Sequence, residues 1–279
     1  MPADRPLKGG RLLIYRHTVL VRLTHWVNVA SMAVLLLSGL QILCAHPAFY
    51  WGETARFAHP FASVTTRLTN AGDTRGVLTV PGISLDTTGV LGVSKRADGS
   101  MVERAFPRWA TLPAELDLGA GRRWHFFFAW LFVLNGALYL AQGLTIRRLP
   151  REMIPTHHQL AHVGQAILDH LRLRFPRGEE ARRYNVLQKL AYAPVVFGLL
   201  PLMVLTGLSM SPAIDARMHA LTIVLGGRQS ARTLHFLSAS LLALFVLIHV
   251  LMVVAAGPIN EMRSMVTGWF AIKPDETQP

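Results

Sequence analysis

Residues 232–254 read RTLHFLSASLLALFVLIHVLMVV. The stretch is apolar apart from small hydroxyls, an arginine at its start and two histidines, His235 and His249. About 20 such residues cross a bilayer as a helix, so a membrane span is expected here. The histidines are 14 residues apart. At about 100° per residue, the second returns to within roughly 40° of the first and lies about 21 Å further along the axis. One helix face then presents two imidazoles, one near each membrane surface. Ionisable groups within a bilayer are costly and mark functional sites, and imidazole is a common metal and haem ligand. The expectation is a helix that gives one ligand to each of two haem irons, the second ligand of each lying on another helix.

Composition points the same way. The 279 residues are 51% hydrophobic and only 16% charged, where a soluble domain has about a quarter charged. The net charge of +12 would suggest nucleic acid in a soluble protein. In a membrane protein it belongs to cytoplasmic loops, and no nucleic-acid role is expected. Cys44 is the only cysteine. That excludes an intramolecular disulfide, a cysteine-ligated iron–sulfur cluster and covalent haem attachment through C-x-x-C-H. Any haem must be b-type, held by side chains. The first apolar run is too long, and lacks the small-residue pattern, for a removable signal peptide.

Four helices are expected, at about 21–43, 124–144, 187–210 and 234–256. His25 lies about one turn into the first, and His125 at the start of the second. Pro194 and Pro201 are tolerable in a membrane helix. Between the first two helices runs a long polar connection, 46–121. Interfacial aromatics mark its ends, in HPAFYWGE (46–53) and FPRWATLPAEL (106–116). Its middle, VLTVPGISLDTTGVLGVS (77–94), reads as short strands and turns. Residues 147–184 are basic, with a surface helix around 156–173, and residues 258–279 read as a polar tail. His158 and His162 share a helix face at i, i+4 but have no acidic or cysteine third ligand nearby. His46 and His59 are expected at the surface.

Lysine and arginine counts set the orientation. Residues 1–20 carry four (Arg5, Lys8, Arg11, Arg16). Residues 147–184 carry eight (Arg147, Arg148, Arg151, Arg172, Arg174, Arg177, Arg182, Arg183). The short 211–231 connection has only Arg217 and Arg228. Both termini and 147–184 should face the cytoplasm, and 46–121 the periplasm or exterior. The histidines then fall into two pairs of like depth: His25 with His249 on the inner side, and His125 with His235 on the outer. Each pair can supply both axial ligands of one b-haem, with centres roughly 20 Å apart. Arg22, Arg123 and Arg232 lie two or three residues before a candidate ligand. They suit haem propionates, and equally they are what flanks any membrane helix.

RLTHW (22–26), GRRWHFFF (121–128), YNVLQK (184–189) and the two histidines of the last helix together resemble the bacterial di-haem cytochrome b family. That family includes membrane subunits of respiratory formate dehydrogenase, nickel–iron hydrogenase and thiosulfate reductase. The resemblance covers all four helices. It implies an all-α integral membrane protein of the bacterial inner membrane: one cytochrome b domain over 1–279, a four-transmembrane-helix bundle holding two b-type haems. The long first connection is more similar to thiosulfate-reductase-type subunits and the membrane partners of molybdopterin oxidoreductases, which implies a periplasmic partner of that kind. The family's quinone pocket lies near the start of the third helix, on the inner side. Asn185, Gln188 and Lys189 occupy that stretch here. The amides of Asn185 and Gln188 can hydrogen-bond a quinone carbonyl (menaquinone or ubiquinone), and Lys189 can assist its protonation, or these polar groups can simply cap a helix. The implied protein is an electron-transfer subunit, not a complete enzyme, working between quinone pool and partner. A stand-alone superoxide:quinone oxidoreductase would use the same bundle but would not need a 76-residue connection between helices (46–121). A haem-free anchor or transporter would show no visible absorption.

Overall fold

The computed structural model describes residues 4–7, 10–96, 98–145, 153–172 and 185–272. Among the described residues, four helices are long and apolar enough to cross a membrane: α1 (Val19–Leu43), α2 (Leu118–Thr145), α3 (Val186–Ser209) and α4 (Arg228–Ala256). Their burial is inverted relative to a soluble bundle. Ser31, Ser38, Thr206 and Ser238 are buried, while Leu23, Phe127, Leu134, Leu244 and Leu251 are exposed. Lipid is as apolar as leucine, so membrane helices pack through small residues and turn large ones outward.

Two of these helices begin earlier than their apolar runs. α2 starts at Leu118 because Asp117 Oδ1 accepts the Ala120 N–H at 2.8 Å, an N-cap. α4 starts at Arg228, where the first N–H groups find acceptors on a distant segment. Glu53 Oε2 takes the Arg228 N–H at 3.1 Å. The Gly52 carbonyl takes those of Gln229 and Ser230, at 3.0 and 3.2 Å. His125 is consequently two turns inside α2, not at its start. α3 is α-helical over Val186–Pro194, opens into a π-helical turn at Val195–Leu199, and is α-helical again over Leu200–Ser209. The wide turn falls between its two prolines, where the regular hydrogen-bond ladder is interrupted.

Contacts divide the chain into two units, residues 1–28, 134–201 and 242–279, and residues 29–133 and 202–241. Each of the four spans contributes a segment to each.

In the first unit, β1 (Arg5–Leu7), β2 (Arg11–Tyr15) and a late strand, Trp269–Ile272, form an antiparallel sheet with β2 in the middle. Ile14, only 1% exposed, packs with Ile272 between Leu12 and Phe270. A helix, Pro258–Thr267, leads into the late strand. The Asn260 side chain closes that corner. It donates to the Ala271 carbonyl and accepts the Ala271 N–H, both at 2.9 Å. The expected polar tail is thus folded as far as Ile272. The expected surface helix at 156–173 is two short helices, His157–Ala161 and Val163–Leu171, the first opened by a Thr156–Gln159 capping box. Arg147, Arg148, Arg151, Arg174, Arg177, Arg182, Arg183 and Tyr184 lie outside the described residues, as does Lys8.

In the second unit the long connection is a β-structure, so the all-α expectation holds for the spans and not for this connection. Strands β3 (Ala48–Phe49), β4 (Ala62–Leu68), β5 (Thr74–Val80) and β6 (Ile83–Asp86) make one antiparallel sheet. β7 (Val93–Lys95) and β8 (Met101–Glu103) make a hairpin. Phe49, Val64, Ala105 and Phe106 bury against Leu43 at the end of α1, with Phe236 of α4 packed on them. Buried Arg104 pins the same corner. It donates to Gln41 Oε1 at 3.0 Å, to Thr111 Oγ1 at 2.6 Å and to the Ala114 carbonyl at 2.6 Å. The connection is part of the fold at this end of the spans.

Candidate functional site

The four span histidines meet in two pairs, one within each unit. His125 of α2 and His235 of α4 lie with ring centroids 6.3 Å apart. His25 of α1 and His249 of α4 lie 6.5 Å apart. A metal–imidazole bond is about 2.0–2.1 Å on the zinc scale, and a ring nitrogen sits about 1.2 Å from its centroid. Two imidazoles on opposite sides of one metal therefore have centroids roughly 6.4 Å apart, and both pairs suit that span. Among the described residues there is no group of three or more His, Cys, Asp or Glu side chains that could hold a metal ion by themselves. Two imidazoles suffice only when a macrocycle supplies the other donors, as in haem.

The His125–His235 pair is held from two other helices. Ser38 Oγ of α1 lies 3.1 Å from His125 Nδ1, and Thr206 Oγ1 of α3 lies 3.0 Å from His235 Nδ1. The residue after each hydroxyl is a glycine. A Cβ on Gly39 would touch His125 Cε1 at 3.4 Å, and one on Gly207 would touch His235 Cε1 at the same distance. Each ring therefore lies against bare backbone.

The His25–His249 pair is bounded by aromatics. Phe245 stacks on His249 at 6.2 Å, Tyr192 meets the same ring edge-on at 6.4 Å, and Trp26 meets His25 edge-on at 5.2 Å. His25 Nδ1 is buried with no hydrogen-bond partner. A buried polar atom left without a partner is uncommon, and no hydrogen bond at this nitrogen fixes the tautomer of the ring. Asn135 of α2 fixes the helix carrying His25, its Nδ2 donating to the Thr24 carbonyl at 2.8 Å and to Asn28 Oδ1 at 2.7 Å.

The candidate arginines differ. Arg123 is exposed. Arg22 donates from Nη1 to the Val266 carbonyl, while its Nε is buried without a partner. Arg232 commits Nη1 to the Ala48 carbonyl at 2.7 Å and Nη2 to the carbonyl of His46, so it fastens the connection to α4. At the start of α3, Asn185 and Gln188 form a reciprocal capping box. Asn185 Oδ1 accepts the Gln188 N–H at 2.8 Å, and Gln188 Oε1 accepts the Asn185 N–H at 3.1 Å. The box uses the amide oxygens and not the NH2 groups. Lys189 is buried and donates to the Ile154 carbonyl at 3.1 Å.

His157, His158 and His162 are exposed on their short helices. His46, expected at the surface, is half-buried and stacked on Tyr50, its Nε2 buried without a partner. Burial, and next the Arg232 charge, hold it below the ordinary imidazole value. The sequence reading passed over Ser38, Thr206, Asn135 and Arg104. A usable signal was present for the first two: Leu-Ser-Gly-Leu at 37–40 returns as Leu-Thr-Gly-Leu at 205–208.

Four apolar spans with paired imidazoles define a membrane cytochrome of the b class. The model of the prokaryotic cytochrome b561 family matches residues 16–268, and the chain belongs to that family. A protein of Azospira oryzae, named as a protein-methionine-sulfoxide reductase subunit, YedZ1, is 26% identical over 237 residues. The alignment covers 85% of this chain and 89% of that protein. No solved structure matches.

Proposed function

We propose that this chain is the transmembrane electron-transfer subunit of a two-component oxidoreductase, joining the quinone pool to a redox partner through two b-type haems. His125 and His235 would hold one haem, and His25 and His249 the other. The observation that carries this reading is the pair of separations, 6.3 and 6.5 Å, each made by imidazoles from different helices. Bound haem supplies one-electron carriage. The chain's own residues orient the rings, exclude water and hold charge. Arg22 and Arg123 are suited to propionates, and Arg232 to fastening the connection.

In this reading the chain lies in the bacterial inner membrane with both termini and 147–184 facing the cytoplasm, which the basic residues of those segments support. Pairing of β2 with the late strand agrees in keeping the two chain ends together. The quinone site is proposed at the start of α3. There the NH2 groups of Asn185 and Gln188 can donate to a quinone carbonyl, and Lys189 supports the turn. The partner docks on the 46–121 structure. The Azospira relative is named as a subunit of a protein-methionine-sulfoxide reductase, so a partner that reduces a sulfoxide, fed through the haems, fits this reading. A molybdopterin enzyme is a suitable chemistry for it.

The test is a dithionite-minus-air difference spectrum of purified protein with haem quantified. Two low-spin b-haems per chain are expected. His235→Ala should remove one and His249→Ala the other. A wild-type protein without a Soret band, or either variant retaining both haems, would overturn the reading.

A further inference from the structure

We infer that Ser38 and Thr206 are positioning residues that lock His125 and His235 in the same tautomer and set how strongly each donates to iron. The inference rests on the proposed ligation by these two histidines. Each hydroxyl carries a single proton. Ser38 Oγ lies 2.6 Å from the Val34 carbonyl, and Thr206 Oγ1 lies 2.7 Å from the Leu202 carbonyl, each one turn back on its own helix. These are the shortest contacts either oxygen makes. A carbonyl can only accept, so the hydroxyl proton is committed there, a common arrangement for serine and threonine in apolar helices. What faces the imidazole is then a lone pair. The ring nitrogen at 3.1 Å from Ser38, and the one at 3.0 Å from Thr206, must each be N–H. In a neutral imidazole, a protonated Nδ1 leaves Nε2 as the acceptor. Both rings consequently offer an Nε2 lone pair, the donor that an axial bond needs, and neither can turn over without losing its partner.

The device is built twice from the same two residues. The hydroxyl, together with the carbonyl beside it (Leu35 for His125, Met203 for His235), fixes the ring's orientation, and the following glycine lets the ring lie against the helix backbone. It is confined to this pair, since the buried His25 Nδ1 has no partner. An acceptor on the far nitrogen makes an imidazole more basic toward its metal. More basic ligands favour ferric iron, so the two hydroxyls hold down the midpoint potential of the haem they serve.

The experiment uses the full-length, haem-loaded protein and compares Ser38→Ala, Thr206→Val and the double variant. Readouts are haem content, optical redox titration and low-spin ferric EPR. The haem in question is identified as the one missing from His235→Ala. In the double variant its ratio of reduced to oxidised form at a fixed poise should rise about tenfold, which is 59 mV for one electron, while the other haem stays in place. Each single variant should give part of that shift. Ser38→Thr and Thr206→Ser should restore the wild-type value. Loss of that haem alone, restored by the same conservative swaps, is the same effect expressed as affinity and supports the inference. Unchanged potential and EPR with both haems retained would overturn it, as would an equal shift of both haems or failure of the swaps to rescue. Failure of the ligation reading looks different: His125→Ala or His235→Ala would keep both haems.

Discussion

The two histidine pairs have nearly the same separation, 6.3 and 6.5 Å, yet their surroundings are built from different chemistry. His125 and His235 are held by hydroxyls and bare glycine backbone. His25 and His249 are bounded by aromatic rings, one stacked and two edge-on, with a buried nitrogen left over. A hydrogen bond specifies a tautomer and a direction; an aromatic face restricts only a plane. The first pair is therefore the more sharply specified site, and the second the more adaptable one.

The largest effect that can break this comparison is loss of a whole haem. Gly39→Val or Gly207→Val pushes methyl groups into an imidazole that a single Cβ would already touch at 3.4 Å. We expect about half of the haem to disappear by pyridine haemochrome assay. Gly136→Val and Gly198→Val meet nothing within 4 Å and should keep both haems. If all four variants behave alike, the glycines near His125 and His235 have no special role.

Next in size is the quinone site proposed at the start of α3. Losing one hydrogen bond to a buried carbonyl costs about 1–3 kcal/mol, roughly one to two decades of affinity for a quinone-analogue inhibitor. Asn185→Leu should show this, but it also removes a helix cap worth about 1 kcal/mol. Asn185→Asp separates the two roles, because aspartate caps as well as asparagine yet has no NH2 to donate. Inhibitor affinity should fall in both variants. Recovery in Asn185→Asp would leave Asn185 as a cap and nothing more.

Partner coupling comes third. Cutting out most of the 46–121 connection would strip Val64, Ala105 and Phe106 from the end of α1, beside the hydroxyl-held pair. Surface changes are the cleaner probe. Trp109 and Phe57 are 81% and 74% exposed. Replacing both with alanine should slow electron exchange with the partner several-fold and leave the haem spectrum unaltered. Unaltered exchange would move docking elsewhere.

The smallest effect is one of pH. Asp215 accepts hydrogen bonds from Thr222 Oγ1 at 2.6 Å and from His219 Nδ1 at 3.0 Å. The Thr222 bond, and then that of His219, pull its carboxyl below the ordinary 3.8. A depressed carboxylate stabilises the fold above its unfolded value, and that contribution fades as pH falls through the folded one. Amide exchange over 212–224 should quicken upon acidification below about 3.9, and Asp215→Asn should abolish that step.

The spans, the imidazole spacing and the strands in 77–94 were legible because each is a local pattern of apolar or turn-forming residues. The pairing of histidines followed from depth alone. What held the rings in place was harder to read. Ser38 and His125 are 87 positions apart, and Thr206 and His235 are 29, so no local period links them. The start of α4 was hidden for the same reason, since its first N–H groups are satisfied by Gly52 and Glu53. Asn185 shows the converse. Its spacing to Gln188 is an ordinary capping box, visible in the sequence, which a functional expectation can obscure.

The sheet joining the chain's two ends has a consequence for biogenesis. Leu12 pairs with Ile272 and Tyr15 with Trp269, so the ribosome must make all four spans before β2 can find this partner. Until then β2 has only β1 beside it and its other edge stays open, and closing so long a loop adds an entropic cost that grows only logarithmically with length. Insertion of the spans can proceed one by one, whereas the edge that ties Arg16 and the helix 258–267 together is completed last. A nascent chain stalled before Trp269 would thus be threaded through the bilayer but left unfastened at its ends, a natural target for membrane quality control.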